Sequence, residues 1–93
     1  MARSVVVASG TANVQAVTGP FTLVGVSVRE NAGTPAAAAL VMRDGTTTGD
    51  PARVLVKLAA SESKLLGPLS VEFASGIFVH RESGTSELVL YLE

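Results

Sequence analysis

An all-β fold, a small antiparallel β-sandwich or jelly-roll-like barrel of about seven or eight strands, follows from three features of this 93-residue sequence. Apolar and polar residues alternate with a period of two in several segments. Turn residues recur roughly every 8 to 15 positions, a spacing that suits a sandwich better than βαβ units. Only one segment carries a helix-start signature.

Taken in order, Ser4 to Ala8 is a short Val-rich strand closed by Ser9-Gly10, and Val14 to Thr18 alternates Val with Gln and Ala before Gly19-Pro20. Phe21 to Glu30 is the longest alternating run, with Val24, Val26 and Val28 filling one face. Ala36 to Arg43 carries the helix signals: Thr34 as an N-cap, Pro35 at the first helical position and four alanines. It spans only about two turns before Asp44-Gly45, too short for an isolated helix. It is read as a strand with Leu40 and Met42 inward, with a short helix as the alternative. Arg53 to Ala60 alternates most cleanly, with Val54, Val56 and Leu58 opposite Arg53 and Lys57. Ser61 to Gly67 reads as a polar loop, Val71 to Phe73 as a stub and Ile77 to Arg81 as a strand. In the last segment Leu88, Leu90 and Leu92 oppose Glu87, Tyr91 and Glu93.

Composition bounds the rest. At 47% apolar residues the chain is globular, one domain over 1–93, with 19–93 as the sandwich and 1–18 as an N-terminal arm or an extra strand. Val, Ala and Leu dominate the apolar set, so the core is shallow, and there is no Cys to staple it. A partner or self-association is the natural supplement. A net charge of -1 with no Lys/Arg run argues against nucleic acid. The apolar runs, such as Ala36 to Met42, are far shorter than the roughly 20 residues a bilayer requires. Nor does the start contain an apolar segment of signal-peptide length, which implies cytoplasmic synthesis.

Residues able to carry chemistry are sparse. His80 is the one histidine, so a two-histidine metal site cannot form, and it reads as a polar strand residue at the surface. Ser83 and Ser86 lie near it, but no strand-turn-helix elbow accompanies them. The eight carboxylates are scattered near turns or on polar faces, where solvent or arginine can satisfy them. Asp44 to Asp50 has oxygens near glycines but lacks the spacing of a calcium loop. Four aromatic residues, most of them needed inside, leave little for stacking on sugars. No catalytic, cofactor or metal residue is assigned, and the expectation is a protein that is not an enzyme. The candidates for contact with a partner are Ala2, Arg3, Ser4 and Val5, which can pair with a neighbour's sheet edge, together with Asp44, Gly45 and Asp50 in one loop and Ser61, Glu62 and Lys64 in another.

The run from Gly19-Pro20-Phe21 through Val28-Arg29-Glu30-Asn31-Ala32-Gly33-Thr34 resembles a family of small bacteriophage virion proteins. The resemblance continues in Met42-Arg43-Asp44-Gly45, in Val56-Lys57-Leu58-Ala59-Ala60-Ser61-Glu62-Ser63 and in Ser75-Gly76-Ile77-Phe78-Val79. It spans roughly residues 19 to 92. It implies a β-sandwich that decorates, or cements, the capsid exterior by binding the major capsid protein as a homotrimer or other symmetric homo-oligomer. The family brings no catalytic residues. A tail, fibre or adsorption module that binds a host surface is the alternative reading.

Overall fold

Alternating Val and Leu favour extended chain because β-branched and bulky side chains pack well on a pleated surface, and in the structure these alternations become strands. The computed structural model describes residues 3–93, and among these it forms nine strands and no helix. They are β1 (Arg3–Gly10), β2 (Val14–Thr18), β3 (Phe21–Glu30), β4 (Ala38–Asp44), β5 (Ala52–Leu58), β6 (Ser63–Leu66), β7 (Val71–Phe73), β8 (Gly76–Ser83) and β9 (Ser86–Leu92).

Two antiparallel sheets stack on each other. The first has the order β1-β9-β3-β6, with β7 also on β3, and the second has the order β2-β8-β4-β5. β3 takes two partners in succession along one edge: Phe21 to Leu23 pair with β7, and Val26 to Arg29 pair with β6. Residues 3–18 supply one edge strand to each sheet, so they are an integral part of the sandwich and not a free arm.

Between the sheets lies a layer of small apolar side chains. Leu23, Val26, Leu88, Leu90 and Leu92 come from the first sheet, and Leu40, Met42, Val56, Ile77 and Val79 from the second. Phe73 is the one fully buried aromatic side chain among the described residues. Each fully buried Val or Leu contributes roughly 1.5–3 kcal/mol of transfer free energy.

Three details differ from the alternation read in the sequence. In β3 the inward face changes parity: Leu23 points in, and then Val26 and Val28 do. The pairing with β9 shifts register between Leu23 and Gly25, and the extra residue, Val24, hands the core face from odd to even positions. The helix-start residues 34–37 stay outside any element, and the strand begins at Ala38, with Ala38, Leu40 and Met42 inward. Residues 61–67 are not a loop throughout, because Ser63–Leu66 form β6 against β3. That strand raises the total to nine.

Candidate functional site

The residues expected to meet a partner fall at opposite ends of the sandwich, separated by the length of β3, roughly 30 Å. Ala2 lies outside the described residues.

At one end, Arg3 opens β1 and holds its guanidinium 4.8 Å from the centre of the Phe21 ring, a cation–π distance. The loop after β4 lies at the same end. Asp44 Oδ1 accepts the Ser75 amide at 2.8 Å and Oδ2 the Ala74 amide at 3.1 Å, with Arg53 Nη2 at 3.8 Å. The Ser75 amide, then the Ala74 amide, hold the Asp44 carboxyl below the usual carboxylate range. Asp50 folds the loop onto itself, with Oδ2 accepting the Thr46 and Thr47 amides at 2.7 and 2.9 Å, and these bonds lower its pKa too. Gly45 sits between the two acids at φ +150°, and a Cβ there would collide with the Asp50 carboxylate. Beside this loop is an open cleft of about 480 Å³ lined by Phe21, Thr22, Asp44, Arg53, Glu72 and Glu93 among others. Its rim is mainly acidic, but the Asp44 oxygens are turned to the two amides.

At the other end Glu30 is the organising group. It was expected to be solvated or paired with arginine, but it is only 5% exposed. Its Oε1 accepts the Ser61 amide at 2.6 Å and its Oε2 the Ala32 amide at 2.7 Å. The Ser61 bond leads in lowering its pKa, followed by the Ala32 bond. Both exits, from β3 and from the β5–β6 turn, are thus fastened to one carboxylate. Ser61 adopts φ +59° in this turn, and Glu62 closes it by accepting the Ala59 amide at 2.7 Å. Lys64 reaches across to the Lys57 carbonyl at 2.9 Å.

Ser4 and Val5 are separated by the pleat. Ser4 pairs with Tyr91 and faces solvent, whereas Val5 pairs with Leu90 and packs against the core. One edge of β1 is therefore occupied by β9 of its own chain. His80 is half-buried on the outer face of the second sheet, where its Nδ1 accepts the Arg43 Nε–H at 3.2 Å. Among the described residues no three His, Asp or Glu side chains are placed to hold a metal ion.

Comparison with known proteins adds nothing to this geometry: no family model, no curated protein and no solved structure matches the chain.

Two groups escaped the sequence reading. Arg81 is only 7% exposed and links the two sheets: Nε donates to Ser86 Oγ at 3.2 Å, Nη1 to the Ala12 carbonyl at 2.8 Å, and Nη2 to the Ala8 and Ser86 carbonyls at 2.7 and 2.9 Å. Desolvation pushes its pKa down from the ordinary arginine value. The second group is the outer face of the first sheet. Val6, Leu65 and Tyr91 are 68%, 75% and 38% exposed there, whereas the outer face of the second sheet presents one such residue, Leu55, between Arg53 and Lys57. Strand alternation places each of these side chains outward. What sequence alone could not do was bring positions 6, 65 and 91 onto one surface.

Proposed function

We propose that the protein is a non-enzymatic structural component of a phage virion, a head decoration protein that binds the outer face of the shell built by the major capsid protein and acts there as a symmetric homo-oligomer. The observation that supports this reading best is how the acidic side chains at the ends of the sandwich are used. Glu30, Asp44 and Asp50 each accept two backbone amides and so hold their loops in one conformation. A loop ordered before binding avoids the entropy cost of being ordered on contact, which favours tight docking from a modest surface. Many copies on a repeating lattice add avidity.

Stoichiometry tests this. Purified virions should contain the chain at a copy number near that of the major capsid protein, and particles lacking it should disrupt at lower temperature. A few copies per particle, or none, would overturn the reading, and a few copies confined to the tail would favour an adsorption module instead.

A further inference from the structure

The outer face of the first sheet is apolar where a solvated sheet face is usually polar. β9 shows this most plainly. Its sequence Leu88-Val89-Leu90-Tyr91-Leu92 is an unbroken apolar run, the pattern of a strand covered on both faces. The inner face is covered by the second sheet, while on the outer side Tyr91 remains 38% exposed.

Strand register arranges the outward residues in rows across the sheet. One row runs Val6, Val89, Ser27, Leu65, one residue from each of β1, β9, β3 and β6. A second contains Ser4, Tyr91 and Gly25, and a third Glu87, Arg29 and Ser63. Charge in these three rows is confined to the Arg29–Glu87 pair, with Nε to Oε1 at 2.7 Å and the Arg29 side chain still 58% exposed; the next row, at the Thr22 end, adds the exposed Glu72 and Glu93.

A two-fold axis parallel to the strands and lying between β9 and β3 makes these rows self-complementary. It superposes β1 of one copy on β6 of the other, and β9 on β3. Val6 then faces Leu65 of the second copy and Val89 faces Ser27, while the two Tyr91 rings, each already lying over Gly25 of its own chain, approach across the axis. Glu87 faces Arg29 and Arg29 faces Glu87, so two intrachain ion pairs become one four-membered network with no like charges opposed. Reversing the strand direction about the central row would instead bring Glu87 against Tyr91 and Arg29 against Gly25, and lose this match. The axis is therefore specified by charge as well as by apolar area.

We propose that this face pairs with the same face of a second copy of the chain, in an isologous dimer whose two-fold axis runs along the strands. Three strands at about 4.8 Å along β3 from Thr22 to Arg29, with β6 beside Val26 to Arg29, give a flat footprint of roughly 400 Å² per copy. Together the two footprints, about 800 Å², fall below the roughly 1,000 Å² of a stable specific interface and suit a weak one. The pair is then a concentration-dependent one, and its symmetry is two-fold, whereas a homotrimer is one of the symmetric assemblies the capsid-cement resemblance implies. It does not depend on whether the protein decorates a shell.

Sedimentation equilibrium of the full chain across a wide concentration range tests it. The mass should rise from 9.5 kDa towards twice that value. Val6→Glu and Leu65→Lys should each raise the dissociation constant by about tenfold or more. Combined in one chain they should recover most of that loss. Residues 6 and 65 lie three strands apart, roughly 14 Å, so the rescuing pair can form only between copies. Val6→Glu with Leu55→Lys has the same net charge but places the lysine on the other sheet, and should recover nothing. All three positions carry exposed side chains, and circular dichroism should report unchanged folding. A chain that stays monomeric throughout, a trimer, or a Leu65→Lys rescue no better than the Leu55→Lys control would overturn the proposal.

Discussion

Replacing Arg81 with Ala should be the most damaging single change to a charged residue in the chain. The guanidinium makes four hydrogen bonds, to Ser86 Oγ and to the carbonyls of Ala8, Ala12 and Ser86, and ties β8 of the second sheet to β1, β9 and the β1–β2 turn. The two bonds to Ser86 are wholly buried and the other two partly so. Removing the donor strands those acceptors without water to replace it, at roughly 1–3 kcal/mol for each fully buried group. With smaller losses at the two wetter carbonyls, the total is about 4 kcal/mol. A chain of this length is stable by about 5–14 kcal/mol, so the loss is a large share of the whole. It corresponds to a fall of about 15–30 °C in the unfolding midpoint. Urea unfolding followed by circular dichroism gives the free energy directly. Arg81→Lys should recover little, because one ammonium cannot span acceptors that the planar fork reaches separately. Arg29→Ala, at the exposed pair with Glu87, should cost less than about 1 kcal/mol under conditions where the chain is monomeric. If Arg81→Ala unfolds within 1 kcal/mol of the natural chain, the claim that this residue fastens the sheets is wrong.

Three further outcomes are expected. Because Glu30, Asp44 and Asp50 all have lowered pKa values in the folded chain, the stability they contribute is present above the ordinary carboxylate range and is lost as pH falls through their lowered values. Urea midpoints measured from neutral pH into the acid range should show that decline, and Asp44→Asn should start lower at neutral pH and decline less. Gly84→Ala should cost more than about 2 kcal/mol, since φ is +75° and the new Cβ would come within 2.6 Å of Ala38 Cβ and 2.7 Å of the Ala37 carbonyl. Gly33→Ala, with nothing within 4 Å, should be neutral or stabilising by up to about 1 kcal/mol. Thermal melts of the two variants compare them directly. Leu23→Ala, at a fully buried site, should lose about 2–5 kcal/mol, whereas Leu55→Ala, 71% exposed, should stay within about 0.5 kcal/mol in chemical denaturation.

The fold was legible wherever one face of a strand is wet and the other dry. In β5 the exposed Arg53, Leu55 and Lys57 alternate with the more buried Val54, Val56 and Leu58, and two-residue periodicity is enough to read that. It fails at β6, where Ser-Lys-Leu-Leu has no alternation and owes its extended form to β3 beside it. It fails again at Val24, because a register shift is a property of two strands and leaves no mark on one. The end loops were recognisable as loops from Asp44-Gly45 and Gly49-Asp50-Pro51, but the direction of their carboxylates was not. Asp44 bonds to amides thirty residues further along the chain, and Glu30 to one thirty-one residues away. Arg81 is illegible for the same reason: an arginine in a strand is ordinarily an outward residue, and only the meeting of β8 with β1, β9 and the β1–β2 turn gives it three carbonyls to bond.

The proposed self-pairing and the proposed shell binding bear on each other through the direction of the two-fold axis. An axis parallel to the strands leaves both copies pointing the same way. Both Asp44–Asp50 loops then lie at one pole of the pair, and both Ser61 turns at the other. Each pole presents two identical loops, fixed by bonds to backbone amides before any contact is made. A pair standing on one pole would meet two sites of a repeating lattice at once, and its avidity could exceed the affinity of one loop by a factor of 10² to 10⁴ if the lattice spacing matches. Weak contacts per copy are then sufficient. Under that arrangement Val6→Glu, which touches neither pole, should still reduce loading onto particles, and an engineered covalent dimer should restore it. Loading that is insensitive to Val6→Glu would mean that each copy binds the shell alone and that the pairing face serves some purpose other than avidity.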